Sequence, residues 1–172
     1  MKKITRDKTV PVNTRYKVRE PVIEVGLGES LLVETINFRT PVIRTPADAN
    51  PKSFREREET GPIYVNGIER GDVLAIHIQD IQPEGHASGG TWDDSEENSF
   101  LKIENGKVRF PGGLWAPRHM MIGDIYLTPA NADSPNPWDY GGNMDFKDVA
   151  PGNTLYLRSE LKGGLLVLGD VH

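Results

Sequence analysis

The chain of 172 residues has no cysteine. Disulfides, thiolate metal ligands and cysteine nucleophiles are therefore excluded. No apolar run approaches the length of a membrane span. Residues 1–10 carry Lys2 and Lys3 with no hydrophobic stretch behind them, so they do not read as a signal peptide. Basic residues are not clustered, and the net charge is -5 with acids spread along the chain. Phosphate recognition needs the opposite, so no nucleic-acid partner is expected. Long amphipathic helical patterns, internal repeats and low-complexity segments are missing, as is a Gly-x-Ser-x-Gly elbow. These absences point to one soluble, cytoplasmic domain over residues 1–172, with neither membrane nor nucleic acid as partner.

What is abundant is turn chemistry. Eighteen glycines and thirteen prolines punctuate short β-branched runs, which predicts an all-β fold with many turns. Residues 1–18 read as an arm or edge strand, and residues 21–25 as a strand before a Gly26-Leu27-Gly28-Glu29 turn. Residues 30–37 have no cleanly polar face, so this strand is expected to be covered on both sides. Residues 39–60 read as a long loop with one helical turn at 53–58, and the charged run 55–59 as a solvated face. Residues 73–81 alternate best, with Leu74, Ile76 and Ile78 inward and His77 on the polar side as an ordinary hydrogen-bonded histidine. The acidic run 93–97 lacks a calcium-loop pattern and is read as exposed. Glu104-Asn105-Gly106 between apolar stretches signals a hairpin. Residues 121–127 form a further strand.

Two polar clusters close the chain, Gly141-Gly142-Asn143-Met144-Asp145 and Gly169-Asp170-Val171-His172. In a strand, residues two apart share a face, so Asn143 would sit with Asp145 and Asp170 with His172. A hairpin of residues 154–158 and 165–168, turning at Gly163-Gly164, would bring the two pairs together. Asn143, Asp145, Asp170 and His172 can hold a divalent metal through oxygen and nitrogen. Without a metal, a carboxylate and a histidine can serve as general base and acid. The last strand, 165–168, is very apolar and would invite pairing if it ended as an exposed edge.

Together with the upstream motifs, these clusters resemble the acetamidase/formamidase family. The resemblance is carried by Gly61-Pro62-Ile63-Tyr64-Val65-Asn66-Gly67 with Gly71-Asp72-Val73-Leu74, by Met120-Met121-Ile122-Gly123, by Gly141-Gly142-Asn143-Met144-Asp145, and by residues 164–172. Pro21, Gly28 and Glu34-Thr35 fit as well. It implies a two-sheet, jelly-roll-like β-sandwich with long loops and little helix, and hydrolysis of small linear amides to a carboxylate and ammonia. It assigns Asp145, Asp170 and His172 as metal or acid/base residues, and Gly142 and Asn143 to the substrate. A divalent ion, zinc or calcium, is implied, with no organic cofactor. The partners implied are a small amide, further copies of the chain, or a complementing C-terminal chain. The family continues into another His and a Gln-Gly-Asp-Gly-Glu segment, whereas this sequence stops at His172. It also has Asn37 where the family carries Asp. The alternative is a non-catalytic β-sandwich that binds or assembles.

Overall fold

A computed structural model describes residues 1–11, 14–36, 45–49, 58–83, 85–89, 99–131 and 136–172. In chain order the strands are β1 (Lys2–Ile4), β2 (Thr9–Pro11), β3 (Ile23–Gly26), β4 (Leu31–Val33), β5 (Glu58–Asn66), β6 (Val73–His77), β7 (Ala87–Gly89), β8 (Ser99–Glu104), β9 (Lys107–Arg109), β10 (Trp115–Pro117), β11 (Ile122–Leu127), β12 (Gly141–Asn143), β13 (Thr154–Arg158) and β14 (Leu166–Val171). The fold is all-β, as the turn-rich composition predicts. Among the described residues the only helical pieces are short 3-10 turns such as Pro46–Ala49, and no helix is long and apolar enough to cross a membrane.

The chain divides into two compact units. The first joins Met1–Ile36, Arg57–Ile81 and Met120–His172. Its main sheet runs β12-β11-β14-β5-β2, with β3 parallel to β5. β13 pairs antiparallel with β6, matching Leu157 to Leu74 and Leu155 to Ile76. Leu74, Leu157, Ile63, Val65, Ile125, Leu127 and Val167 belong to one apolar core. Sheet and ribbon thus form the two layers of a sandwich. In the ribbon, Val73 and Tyr156 face solvent, and His77 Nδ1 lies 3.1 Å from Thr154 Oγ1.

The second unit holds the antiparallel sheet β10-β9-β8-β7. Its β8–β9 hairpin turns at Asn105 and Gly106, with φ of 50° and 71°. That is the left-handed pair an Asn-Gly hairpin turn requires.

Several sequence expectations are corrected. Residues 154–158 and 165–168 do not form a hairpin, because β13 pairs with β6 while β14 lies between β11 and β5. The burial patterns explain it. β13 alternates and suits a half-exposed ribbon, whereas residues 166–169 of β14 are uniformly buried and need neighbours on both edges. The last strand is accordingly central rather than an exposed edge. β4 is not covered on both sides, since Leu32 is exposed. Glu58 opens β5 instead of closing a helical turn. Glu59 is 2% exposed, so the supposed solvated run ends in a buried carboxylate. Residues 53–57 and 93–97, and Asn37, lie outside the described residues.

β11 is buried along its whole length. Leu127→Ala, at a site with 0% exposure, should cost about 2–5 kcal/mol in urea unfolding. Leu32→Ser on the exposed side of β4 should stay within about 0.5 kcal/mol.

Candidate active site

The two polar clusters meet because both of their strands pair with β11. Asp124 is opposite Asn143 of β12 on one side and Gly169 of β14 on the other. His172 is tied to the start of this ladder: Met121 N–H donates to its carbonyl at 2.8 Å, and its own N–H donates back to Met121 O at 3.1 Å. The N–H groups of Met144 and Asp145 both donate to Gly123 O, at 2.9 and 3.0 Å. Asp145 then turns with φ of 46°, and Asp170 with φ of 50°. The simple alternation assumed for Asn143 and Asp145 therefore fails, because β12 ends at Asn143 and the left-handed turn re-aims Asp145.

The result is a compact donor group. Single ligand atoms of Asp145, Asp170 and His172 all lie within 4.8 Å of one another. His172 Nε2 is 3.8 Å from Asp145 Oδ1, and His172 Nδ1 is 3.8 Å from Asp170 Oδ1. Nδ1 also lies 2.9 Å from the Asp170 carbonyl. A carbonyl can only accept, so this contact places a proton on Nδ1 and turns Nε2 toward Asp145. Asp145 and His172 are about half exposed, at 54% and 51%, while Asp170 is at 18%.

Gly123 forms the floor. A β-carbon built there would fall 2.7 Å from Asp145 Oδ1, 2.7 Å from His172 Cε1 and 2.9 Å from Asp170 O. The Asp145 and His172 side chains and the Asp170 backbone therefore close on space that any side chain at 123 would fill. Donors bound to one zinc or calcium ion at about 2.0–2.6 Å can be no more than about 5 Å apart, so the group fits a divalent cation.

A second polar cluster was not foreseen. Arg15 Nη2 and Nε donate to Glu59 Oε1 at 2.6 and 3.0 Å, and Arg15 Nη2 also donates to Asp124 Oδ2. Tyr126 O–H donates to Glu59 Oε2 at 2.9 Å. Glu59 and Asp124 are 2% and 1% exposed. Gly169 gives Glu59 its room, because a β-carbon there would meet Glu59 Cγ at 3.1 Å. Burial, then a hydrogen bond and repulsion from Glu59, push the Asp124 carboxyl up to about 8; Arg15 opposes the rise and Asp170 adds to it. Burial likewise raises the Tyr126 hydroxyl. Asn143, one of the expected substrate residues, lies directly across from Asp124 with its Oδ1 buried and unpartnered. Gly142, the other, has Tyr16 Oη 2.7 Å from where its β-carbon would be.

Solved structures share this fold. An acetamidase from Bacillus halodurans superposes with a TM-score of 0.83 at 30% identity, over 99% of this chain and 61% of its own. A predicted acetamidase/formamidase from Thermoanaerobacter tengcongensis gives 0.81 at 30% identity, over 99% and 60%. An acetamidase from Yersinia enterocolitica gives 0.80 at 26%, over 97% and 58%. The chain groups with the acetamidase/formamidase family. It spans about three fifths of the length of these relatives. A gamma lactamase from Delftia acidovorans, 18% identical with a TM-score of 0.70, shares the fold. Neither protein-family models nor curated sequences give a match.

The signal for the second cluster was present in the sequence. Asp124 is the one charged residue in Ile122-Gly123-Asp124-Ile125-Tyr126-Leu127. A lone acid in a strand covered on both faces must find a buried partner.

Two outcomes follow. Gly123→Ala should retain the far-UV spectrum but weaken zinc or calcium binding ~10-fold or more by calorimetry. Stability should also respond to pH through Asp124. Its folded pKa lies above its ordinary 3.8, so this contribution is complete below that value and is lost as pH rises through about 8. The melting temperature should therefore fall from pH 5 to 9, with a shallower slope in Asp124→Asn.

Proposed function

We propose that the chain carries amidase chemistry, hydrolysing small linear amides such as formamide and acetamide to a carboxylate and ammonia. The observation that carries this reading is the convergence of Asp145, Asp170 and His172 over Gly123, in a chain grouped with acetamidases. A divalent ion held by these three residues would supply a Lewis acid and make a bound water more acidic. Asp145, the more exposed carboxylate, takes the proton of the attacking water. It then returns that proton to the nitrogen, since an amide anion is a very poor leaving group. Asp170 holds the His172 ring through its backbone carbonyl, so Nε2 is turned toward the site. Asn143 lies across β11 from Asp124, on the face away from Gly123, so it serves this site through the backbone that carries Asp145.

Asp145 and His172 are exposed on one flank. That flank is where further copies of the chain, or the region that makes the relatives longer, would add groups to the site.

The test is ammonia release from formamide and acetamide with zinc or calcium supplied, by this chain alone and joined to a relative's remaining region. Release is expected in at least the joined form, with His172→Ala lowering it by ~10²-fold or more. No release in either form would leave a binding module as the surviving reading.

A further inference from the structure

The structure assigns the cleft beside the donor group to the acyl side of the substrate, and with it amides whose acyl group is apolar and longer than acetyl. The cleft has a volume of about 460 Å³ and is lined by Phe146, Asp148, Val149, Asn153, Thr154 and Leu155. Its place follows from the backbone. Phe146 and Val149 belong to the short turn after Asp145, closed by Val149 N–H donating to Phe146 O at 2.9 Å. Both ends of that turn are fastened around Gly123. Asp145 N–H donates to Gly123 O at 3.0 Å, and Ile122 N–H donates to Val149 O at 2.9 Å.

β13 supplies the other wall. Residues 123, 125 and 127 share one face of β11. Leu127 on that face and Ser159, just after β13, meet over Gly164, where a β-carbon would lie 3.2 Å from Leu127 Cδ2 and 3.6 Å from Ser159 Oγ. Two residues earlier, Leu157 Cδ1 lies 3.2 Å from where a β-carbon at Gly141 would be, level with Tyr126. Two residues earlier again, Leu155 comes level with the Gly123 end of β11. The donor group and the cleft thus share one turn and one face of the sheet.

The lining selects the chemistry of the occupant. Each polar side chain already has a partner: Asp148 pairs with Lys147 at 2.8 Å, Asn153 Nδ2 donates to Asp148 O at 2.9 Å, and Thr154 Oγ1 lies 3.1 Å from His77 Nδ1. What remains is apolar area. Phe146 is 55% exposed, next to buried Val149 and half-buried Leu155. An alkyl chain laid there leaves water and covers Phe146 in one step. Size agrees. Pockets of about 300–1,000 Å³ hold molecules far larger than formamide or acetamide, so a chain of several carbons is the fitting occupant. Its carbonyl would lie at the donor group and its alkyl end between Phe146 and Leu155. That the occupant is a substrate rests on the amidase reading; the affinity of the cleft for alkyl chains does not.

Straight-chain primary amides from formamide to hexanamide, titrated into the full chain with and without zinc, test this. Hexanamide should shift the methyl resonances of Val149 and Leu155, and affinity should rise ~3-fold per added methylene. Thr154→Phe fills the cleft from an exposed position and should abolish that rise. Phe146→Ala, also at an exposed position, should weaken hexanamide binding ~5-fold with the far-UV spectrum unchanged. In the ammonia assay, kcat/KM should climb with chain length in the parent and stay flat in Thr154→Phe, while formamide turnover is the same in both. Affinity that does not change along the series, or Val149 and Leu155 resonances that stay in place, overturns the proposal even if formamide is hydrolysed. Length-dependent binding at these methyls without ammonia release upholds the alkyl cleft and removes the amidase reading instead.

Discussion

The site depends on β11 having a partner on each edge. β12 on one side and β14 on the other bring together two polar clusters more than twenty residues apart in sequence. Neither cluster could reach the other from a hairpin of its own. Once β11 lies between them, the left-handed turns at Asp145 and Asp170 fold both carboxylates back over its end. The space they enter exists because residue 123 has no side chain. Pairing, turn conformation and a missing β-carbon act in series, and losing any one separates the donors.

The buried Arg15–Glu59–Asp124 cluster sets a second condition. Taking charges out of water costs several kcal/mol per ion, and attraction in the interior offsets this only when every donor and acceptor is used. Here Arg15 spends its hydrogen bonds on two carboxyls from different strands, and Tyr126 completes Glu59. The cluster is therefore better understood as specifying register than as adding stability. It matches β5 and β11 to the segment after β2, and a slip of one residue would turn Asp124 to the other face of the sheet and leave Arg15 without it.

Much of this was legible from residue order. The all-β class followed from turn residues between β-branched runs, and the β8–β9 hairpin from Asn105-Gly106. The alternation in β6 gave its inward face correctly. Asp145, Asp170 and His172 stood out as chemistry-bearing residues in two glycine-flanked clusters. What was not legible was partnership. Nothing local says that β13 belongs to β6 or that β14 is central, because both are short apolar runs near a Gly-Gly turn. Glu59 was misread for a related reason. It follows Arg55, Arg57 and Glu58 in sequence, and only the fold reveals that its side chain crosses Gly169 to meet Arg15 from another segment.

Gly123 and Asp124 show how one strand serves two demands. Neighbouring residues in a strand face opposite sides. On one side the site needs an empty position, so residue 123 carries nothing. On the other, the sheet interior needs a polar group that reaches both Arg15 and the end of β12, so residue 124 carries a short acid. A longer acid at 124 would crowd Glu59, and an apolar residue would leave Arg15 with one carboxyl partner instead of two. Both demands fall on one fully buried strand. The exposed donor group and the buried cluster are thus two faces of the same element, and the chemistry on the open side depends on how the closed side is satisfied.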